Sequence, residues 1–317
     1  MLNVSIVIVN WNVREMLRNC LKSIYQETKD INFEIIVVDN GSKDGSVQML
    51  RQEFPEVILI QNQDNLGFAA ANNQGINRAR AKYILLLNPD TLILDNAIAK
   101  TVNFMDAHPE AGIAGCKVLK PDGSFLKSCH DFPSLLNLVL ASLYLHKIFQ
   151  GNRFFGSQGL TVWKHDYTRE VDIVAGCFMM ARREAIDQVG LMDEDFFMYA
   201  EEFDWCYRFK LMGWKVIFTP EAQIIHFRGQ STKQAYKKML MIQIKSNLHF
   251  MRKNRGFLAY LLASFLQGLF YLLRLPYWAA IVLFSARKRK EAFITMKGYA
   301  LAMVTAWTGG RFNLKEK

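Results

Sequence analysis

The alternation of buried strand and amphipathic helix in the first hundred residues constrains this chain more than any other feature. Val4-Ser5-Ile6-Val7-Ile8-Val9 is an almost unbroken aliphatic run rich in β-branched residues, the composition of a strand covered on both faces. A helical pattern follows over 13–26. Then come a strand over Glu34–Asp39, a helix over 43–53, a strand over Val57–Ile60, a helix over Phe68–Arg80 and a strand over Tyr83–Leu87. Strands alternating with helices predict right-handed βαβ units around a parallel sheet, an α/β fold of Rossmann-like type. Ligands of such sheets sit in the crevice at the carboxyl ends of the strands.

Each of those strand ends is polar. The four segments are Asn10-Trp11-Asn12, Asp39-Asn40-Gly41-Ser42, Asn65-Leu66-Gly67-Phe68 with Asn72-Asn73, and Asn88-Pro89-Asp90-Thr91. Any one of them reads as an ordinary turn. All four fall on one edge of a parallel sheet and together wall a crevice. Asp90 leaves a buried strand behind a proline that fixes the backbone, and a carboxylate held that way suits a hard cation such as Mg²⁺ or Mn²⁺. The competing use is a helix N-cap nearby at Thr91 or Asp95.

The middle of the chain changes character. Ile113–Leu119 and Ser124–Cys129 around Pro121-Asp122-Gly123 predict a hairpin. Leu135–Phe149 reads as an apolar helical insert, Val171–Ala181 as a strand, and 200–212 as a helix stopped by Gly213. Between 193 and 204 stand six carboxylates, Asp193, Glu194, Asp195, Glu201, Glu202 and Asp204, interleaved with Phe196, Phe197, Tyr199 and Phe203. Apolar neighbours raise a carboxyl pKa and tune it as a base. Glu201 and Glu202 fall in a first helical turn, whose dipole favours the ionised form. Asp204 and Arg208 are i,i+4 partners, which gives Asp204 a structural use. His226 ends the strand-like Ala222–Ile225, and Arg228, Gly229, Ser231 and Thr232 behind it suit phosphate contacts.

From Val4 to about Thr232 these residues resemble glycosyltransferase family 2, the inverting enzymes of the A-type nucleotide-sugar fold, and most closely its rhamnosyltransferase-like branch. The carriers are Ser5–Asn12, Val37–Ser46, Asn65–Phe68, Leu87–Asp90, Phe196–Cys206 and His226–Ser231, in the family's order. The resemblance implies that Asp39 contacts the nucleoside and that Asn10, Asn12, Asn65, Gly67 and Asn72 close over base and ribose. Asn88 and Asp90 would stand at the family's Asp-x-Asp position, with Asp90 and His226 as metal ligands and Ser231 toward the donor. Glu202 would be the general base, at the second acid of a Glu-Asp pair, with Glu201 or Asp204 as the alternatives. Two positions depart from the pattern. Asn88 replaces the first acid, lowering the site's negative charge, and Glu202 replaces an aspartate, lengthening the base by one methylene. The implied partners are a dTDP- or UDP-linked sugar, with rhamnose as the sugar, and a lipid-linked or cell-surface glycan acceptor. A divalent metal, Mg²⁺ or Mn²⁺, is the implied cofactor.

Charge divides the chain. Residues 1–227 carry 22 Lys/Arg against 27 Asp/Glu, a net −5, whereas 228–317 carry 17 against 2, a net +15. A basic tail asks for an anionic partner. Its basic residues cluster around apolar runs and form no helical stripe, so a membrane surface is expected and nucleic acid is not. Phe257–Leu273 is uncharged, Arg274 and Pro276 interrupt it, and Tyr277–Phe284 continues apolar. Arg252, Lys253 and Arg255 precede the run and Arg287–Lys290 follow. Both flanks favour the same side of a membrane, which predicts a re-entrant or interfacial helical hairpin bent near Pro276, with Leu135–Phe149 as a second lipid contact. The alternative is a helical cap packed in water on the catalytic domain. The expected division is a catalytic domain over 1–232 and a membrane-associating region over 233–317, peripheral or re-entrant at the cytoplasmic face of the cell membrane.

Five scattered cysteines without a CxxC pair predict reduced thiols. The start of the chain lacks the charge and apolar pattern of a secretory leader, so secretion is not expected. Two rival functions fit less well. A nucleotidyltransferase needs a Gly-rich triphosphate loop with Arg or Lys near the first strand, and Asn10-Trp11-Asn12 is not one. A catalytically inactive sugar-nucleotide-binding or scaffold protein at the membrane would not need the intact acids and His226.

Overall fold

A computed structural model describes residues 2–145, 163, 165–227 and 236–309, and the chain divides into two compact units. The first comprises 1–132, 164–197 and 201–234; the second comprises 133–163, 198–200 and 235–317. The second unit therefore draws residues from the interior of the chain and is not a simple C-terminal appendage.

The first unit is built on a ten-stranded mixed sheet. Its strands are β1 (Val4–Asn10), β2 (Phe33–Asn40), β3 (Ile58–Asn62), β4 (Tyr83–Leu87), β5 (Thr91–Leu94), β6 (Ala111–Leu119), β7 (Phe125–Leu126), β9 (Arg169–Glu170), β11 (Phe178–Arg182) and β12 (Lys215–His226). β8 (Cys129–His130) and β10 (Ile173–Val174) form a small separate ladder. The main order is β3-β2-β1-β4-β11-β6-β12-β5. β1 pairs in parallel with β2 and β4, and β2 with β3, as expected. The second half departs from a parallel sheet: β11 runs antiparallel to both β4 and β6, and β5 antiparallel to β12. Because β12 is parallel to β6, its carboxyl end still lies on the edge where β1, β2 and β4 end.

The helices of this unit are α1 (Arg14–Glu27), α2 (Ser46–Glu53), α3 (Phe68–Arg78), α4 (Ala97–Ala107), α6 (Arg183–Val189) and α7 (Glu201–Leu211). α1 buries Leu17, Cys20, Leu21 and Ile24, one stripe at helical spacing, against a core that includes Ile6, Ile8, Ile35, Val37 and Leu85. α2 starts later than position 43, because Asp44 Oδ1 accepts the Ser46 N–H at 3.0 Å and holds 43–45 as a turn.

Two strands differ from their expected spans. The run 171–181 is broken at Ala175-Gly176-Cys177: the Ala175 N–H bonds Ser128 O at 2.8 Å, Ile173–Val174 pairs with β8, and Phe178 onward joins the main sheet. Residues 222–225 prove to be the end of a twelve-residue strand. Its register shifts between Thr219 and Gln223 around Pro220, which has no N–H for the ladder.

The second unit is helical: α5 (Leu135–Ser142), α8 (Tyr236–Arg255), α9 (Phe257–Leu272), α10 (Leu275–Phe284) and α11 (Arg289–Trp307). Ser134 caps α5, its hydroxyl accepting the Asn137 N–H. Residues 146–149 of the expected insert lie outside the described residues. The apolar run breaks at Leu273–Arg274, two residues before Pro276. Its two arms scarcely touch each other, and each packs on α11 instead. The hairpin partner expected for 257–273 is thus replaced by the last helix. All five cysteines are buried and free, and burial pushes the thiols of Cys20, Cys129 and Cys206 up to about 12.

Candidate active site

The sheet edge collects the polar strand ends. At the end of β1, Asn10 is fully buried. Its Nδ2 donates to Asp39 Oδ2 at 2.8 Å and to Ser42 Oγ at 3.1 Å. Asp39, also fully buried, accepts the Ser42 N–H on Oδ1 at 2.9 Å. Asn12 closes the other side: its N–H donates to Ser42 Oγ at 2.9 Å, and its Oδ1 accepts the Lys43 N–H at 2.7 Å. Asn12 has φ of 54°, in the left-handed region that asparagine tolerates. The β1 and β2 ends are thereby locked into one rigid floor. Within it, Asn10 Oδ1 is buried and has no hydrogen-bond partner among the described residues, a cost that a ligand N–H or O–H would relieve.

The third segment is used for assembly as much as for a pocket. Asn65 Oδ1 accepts the Gly67 N–H at 2.9 Å and Asn40 Nδ2 at 3.3 Å, and Asn40 Nδ2 also reaches Gly67 O at 3.0 Å. Asn62 and Gln74 extend this amide network. The Phe68 N–H donates to Phe197 O at 2.7 Å. A Cβ on Gly67, whose φ is 89°, would collide with that Phe197 carbonyl, so only glycine allows this approach. Asn72 is 1% exposed and its Nδ2 donates to Phe68 O, one turn back in its own helix. Asn73 reaches across to the acidic segment: Nδ2 donates to Met192 O and Glu194 Oε1, both at 2.9 Å, and Oδ1 accepts the Met192 N–H at 3.0 Å. Asn40 and Asn73 stand in the sequence only as members of polar strand-end segments, and Asn62 carries no signal at all, because their work is a long-range contact that sequence spacing does not display.

Asp90 and His226 meet although 136 residues separate them. His226 Nε2 lies 3.1 Å from Asp90 Oδ1, and the Phe227 N–H donates to Asp90 O at 2.9 Å. The register brings them together: Thr91 on β5 pairs with His226 on β12. Burial works against a charged imidazole here, but the bonds to Asp90 and to Cys177 outweigh it and raise His226 to about 10. Once the imidazole gives up its proton, its nitrogen and the Asp90 carboxylate oxygen are donors that a divalent ion such as Mn²⁺ accepts, so the residues fit a divalent metal. Thr91 turns inward: its hydroxyl donates to Asn88 O at 2.8 Å. Ser231 lies outside the described residues.

The acids of α7 separate into different roles. Asp204 is fully buried and bonds Arg208 Nε at 2.8 Å, and Arg208 also donates to Val189 O and Leu191 O. That is a structural clamp, as the i,i+4 spacing predicted. Glu201 is 4% exposed, and its Oε2 has no hydrogen-bond partner among the described residues. Burial, and next the Glu202 charge, hold its pKa well above the usual carboxylate range. Glu202 is less buried and faces Gly176, where a Cβ would lie 3.9 Å from its own. The neighbouring Cys177 accepts the Asn88 N–H on its carbonyl at 3.1 Å and touches His226 through its side chain. The Gly176-Cys177 turn thus neighbours Glu202 through Gly176, and Asn88 and His226 through Cys177. The break in the 171–181 strand is what creates this turn, and a continuous strand reading conceals it.

This arrangement agrees with what the chain is similar to. It is 28% identical, over 68% of its length and 74% of the relative's, to the N-acetylglucosaminyl-diphospho-decaprenol L-rhamnosyltransferase of Mycobacterium tuberculosis. It is 24% identical, over 80% of its length and 94% of the relative's, to the rhamnosyltransferase WbbL of Escherichia coli. Its fold matches that of the mannosyltransferase PcManGT of Pyrobaculum calidifontis, solved with GDP-Man and Mn²⁺. The TM-score there is 0.60 and the identity 16%, over 99% of this chain and 88% of that one. Residues 5–190 match the family description Glycosyl transferase family 2. More than half of the chain carries that match, and it belongs to glycosyl transferase family 2.

Proposed function

We propose that this chain is an inverting, metal-dependent glycosyltransferase. It moves rhamnose from a dTDP- or UDP-linked donor to a hydroxyl of a lipid-linked or cell-surface glycan, at the cytoplasmic face of the membrane. The observation that carries the reading is the pairing of Asp90 with His226 at the sheet edge, with the Gly176-Cys177 turn next to it and Glu202 packed on Gly176. The names of the relatives support the sugar and the lipid-linked acceptor, and the Mn²⁺ of the structural neighbour supports the metal.

In this mechanism Asp39, fixed by Asn10 and Ser42, holds the nucleoside, and the orphan Oδ1 of Asn10 accepts a donor N–H or O–H. Asp90 and His226 would hold the metal, with the neutral Asn88 two residues before Asp90. A bound divalent ion offsets the charge that builds on the departing diphosphate. Glu202 takes the acceptor hydroxyl proton as the oxygen attacks the anomeric carbon. Burial raises the Glu201 pKa, which disfavours a second negative charge next to the base. One displacement inverts the anomeric configuration.

The test is thermal-shift screening of the purified chain against nucleotide sugars with and without Mn²⁺, followed by a transfer assay with the best donor. The reading requires a nucleotide sugar that raises the melting temperature more with Mn²⁺ than without. Equal shifts with and without the ion would remove the metal from the mechanism.

A further inference from the structure

Three helices of the second unit bury mainly small residues and expose large apolar ones. α9 buries Ala263, Ser264, Gln267, Gly268 and Tyr271. It exposes Phe257, Leu258, Leu261, Leu262 and Phe265, each between 44% and 71%. The two sets follow the same i, i+1, i+4, i+5, i+8 spacing on separate faces about 120° apart, and the large aliphatic and aromatic set is the outer one. α11 repeats the pattern: Ala292, Gly298, Ala302, Thr305 and Ala306 are buried, while Phe293 and Ile294 are exposed. α10 is apolar throughout and has no buried residue, with Phe284 86% exposed. A helix of a water-soluble protein turns its large apolar stripe inward. Contiguous apolar patches of this extent mark an interaction surface.

The contacts between α9 and α11 fit hydrocarbon surroundings. Ser264 Oγ donates to Ala306 O at 2.5 Å, and Trp307 Nε1 donates to Phe265 O at 3.2 Å. A Cβ on Gly268 would collide with the Trp307 ring. Small residues at the seam and hydroxyl-to-carbonyl bonds across it are how helices associate where the outer solvent is as apolar as leucine. Arg274, the one charge between 257 and 284, is turned inward and is 6% exposed. Its guanidinium donates to Phe270 O at 2.6 Å and Ala141 O at 2.9 Å, at the carbonyl ends of α9 and α5, where a cation is favoured.

Charge decides the occupant. The residues of this unit carry 17 Lys/Arg against 2 Asp/Glu, a net +15, and Arg252, Lys253 and Arg255 flank the apolar segment at one end and Arg287–Lys290 at the other. Basic rims around an exposed apolar face complement an anionic bilayer. With both rims basic, lying along the leaflet surface is favoured over crossing it.

We infer that α9, α10 and α11 form a lipid-embedded helical platform, seated in an anionic leaflet through Phe257, Leu258, Leu261, Leu262 and Phe265 and the whole of α10. The inference deepens the membrane part of the proposed function and does not depend on the catalytic assignments.

Flotation of the full chain with phosphatidylglycerol vesicles tests it. Wild type should float and stay bound in about 1 M NaCl, where the Debye length is only about 3 Å. Leu258→Asp combined with Leu262→Asp should lower partitioning at least ~100-fold, as carboxylates in hydrocarbon are strongly disfavoured. Release of wild type by salt would overturn the inference, leaving surface adsorption only. So would a double variant that floats like wild type. A third overturning result is a wild type that stays off vesicles and forms a concentration-dependent dimer that the double variant abolishes, which would make a second copy the occupant. Should the double variant misfold, Phe265→Cys labelled with a polarity-sensitive dye serves instead. Its emission should shift to the blue on adding vesicles, and an unchanged emission sinks the idea. Nucleotide-sugar-induced melting shifts on the same samples report the catalytic reading separately.

Discussion

At the scale of single residues, Glu202, Asp90 and Glu201 give distinct expectations. Glu202→Gln keeps size and loses proton affinity, so turnover should fall at least ~100-fold with donor affinity and melting temperature unchanged. Asp204→Asn should instead lower stability, because it weakens the buried bond to Arg208. If Asp204→Asn were dead at full stability while Glu202→Gln stayed active, Asp204 would be the base. Asp90→Ala should abolish metal-dependent transfer in a folded protein, and wild-type turnover in Mn²⁺ would refute its role. Glu201 makes a pH prediction. Its folded pKa is raised above the ordinary value, so its contribution to stability is complete at pH below about 4.5 and is lost as pH rises through the folded value. Glu201→Gln should therefore raise the melting temperature relative to wild type at pH 8 and leave it nearly unchanged at pH 4.5; equal shifts at the two pH values would contradict a neutral buried Glu201. The identities of Asp39, Asp90, Glu202 and His226 were legible as residue types at strand and helix ends. That Asn72 bonds its own helix, or that Asn10 braces Asp39, was not, because a side chain's partner is set by tertiary neighbours.

At the scale of elements, the parallel half of the sheet was readable because buried parallel strands are written as continuous aliphatic runs. The antiparallel β11 was not, since a run such as Phe178–Arg182 carries no mark of direction. Nor was the turn at Gly176 visible inside an apolar stretch. The Asn65–Phe68 segment is a joint between α3 and the acidic chain before α7. Gly67→Ala should strain the backbone by about 1–3 kcal/mol and displace Phe197, seen as a melting temperature lower by several degrees and reduced transfer. An unchanged melting temperature would mean that the loop shifts without cost. Asn73→Ala tests the same joint from the other side and should lower turnover more than donor affinity.

At the scale of the whole molecule, the basic apolar tail was plain from composition, but the identity of its helix pair was not. The expected hairpin between 257–273 and 277–284 gave way to packing of both arms on α11, where buried Ala302 and Ala306, with Gly268 against Trp307, admit close helix approach. Replacing Arg287, Lys288, Arg289 and Lys290 with serine should weaken binding to anionic vesicles by about 1 kcal/mol per residue, with little change for neutral vesicles; equal losses on both would point to misfolding instead of lost attraction. The pairing of Asp90 with His226 carries a further consequence for how the enzyme is made. Asp90 and His226 lie 136 residues apart and meet only once β12 has been synthesised beside β5. At about 5–20 residues per second, roughly 10 seconds of synthesis separate the two residues. A ribosome-bound chain truncated before residue 226 therefore lacks this contact, which arrives with a single late strand.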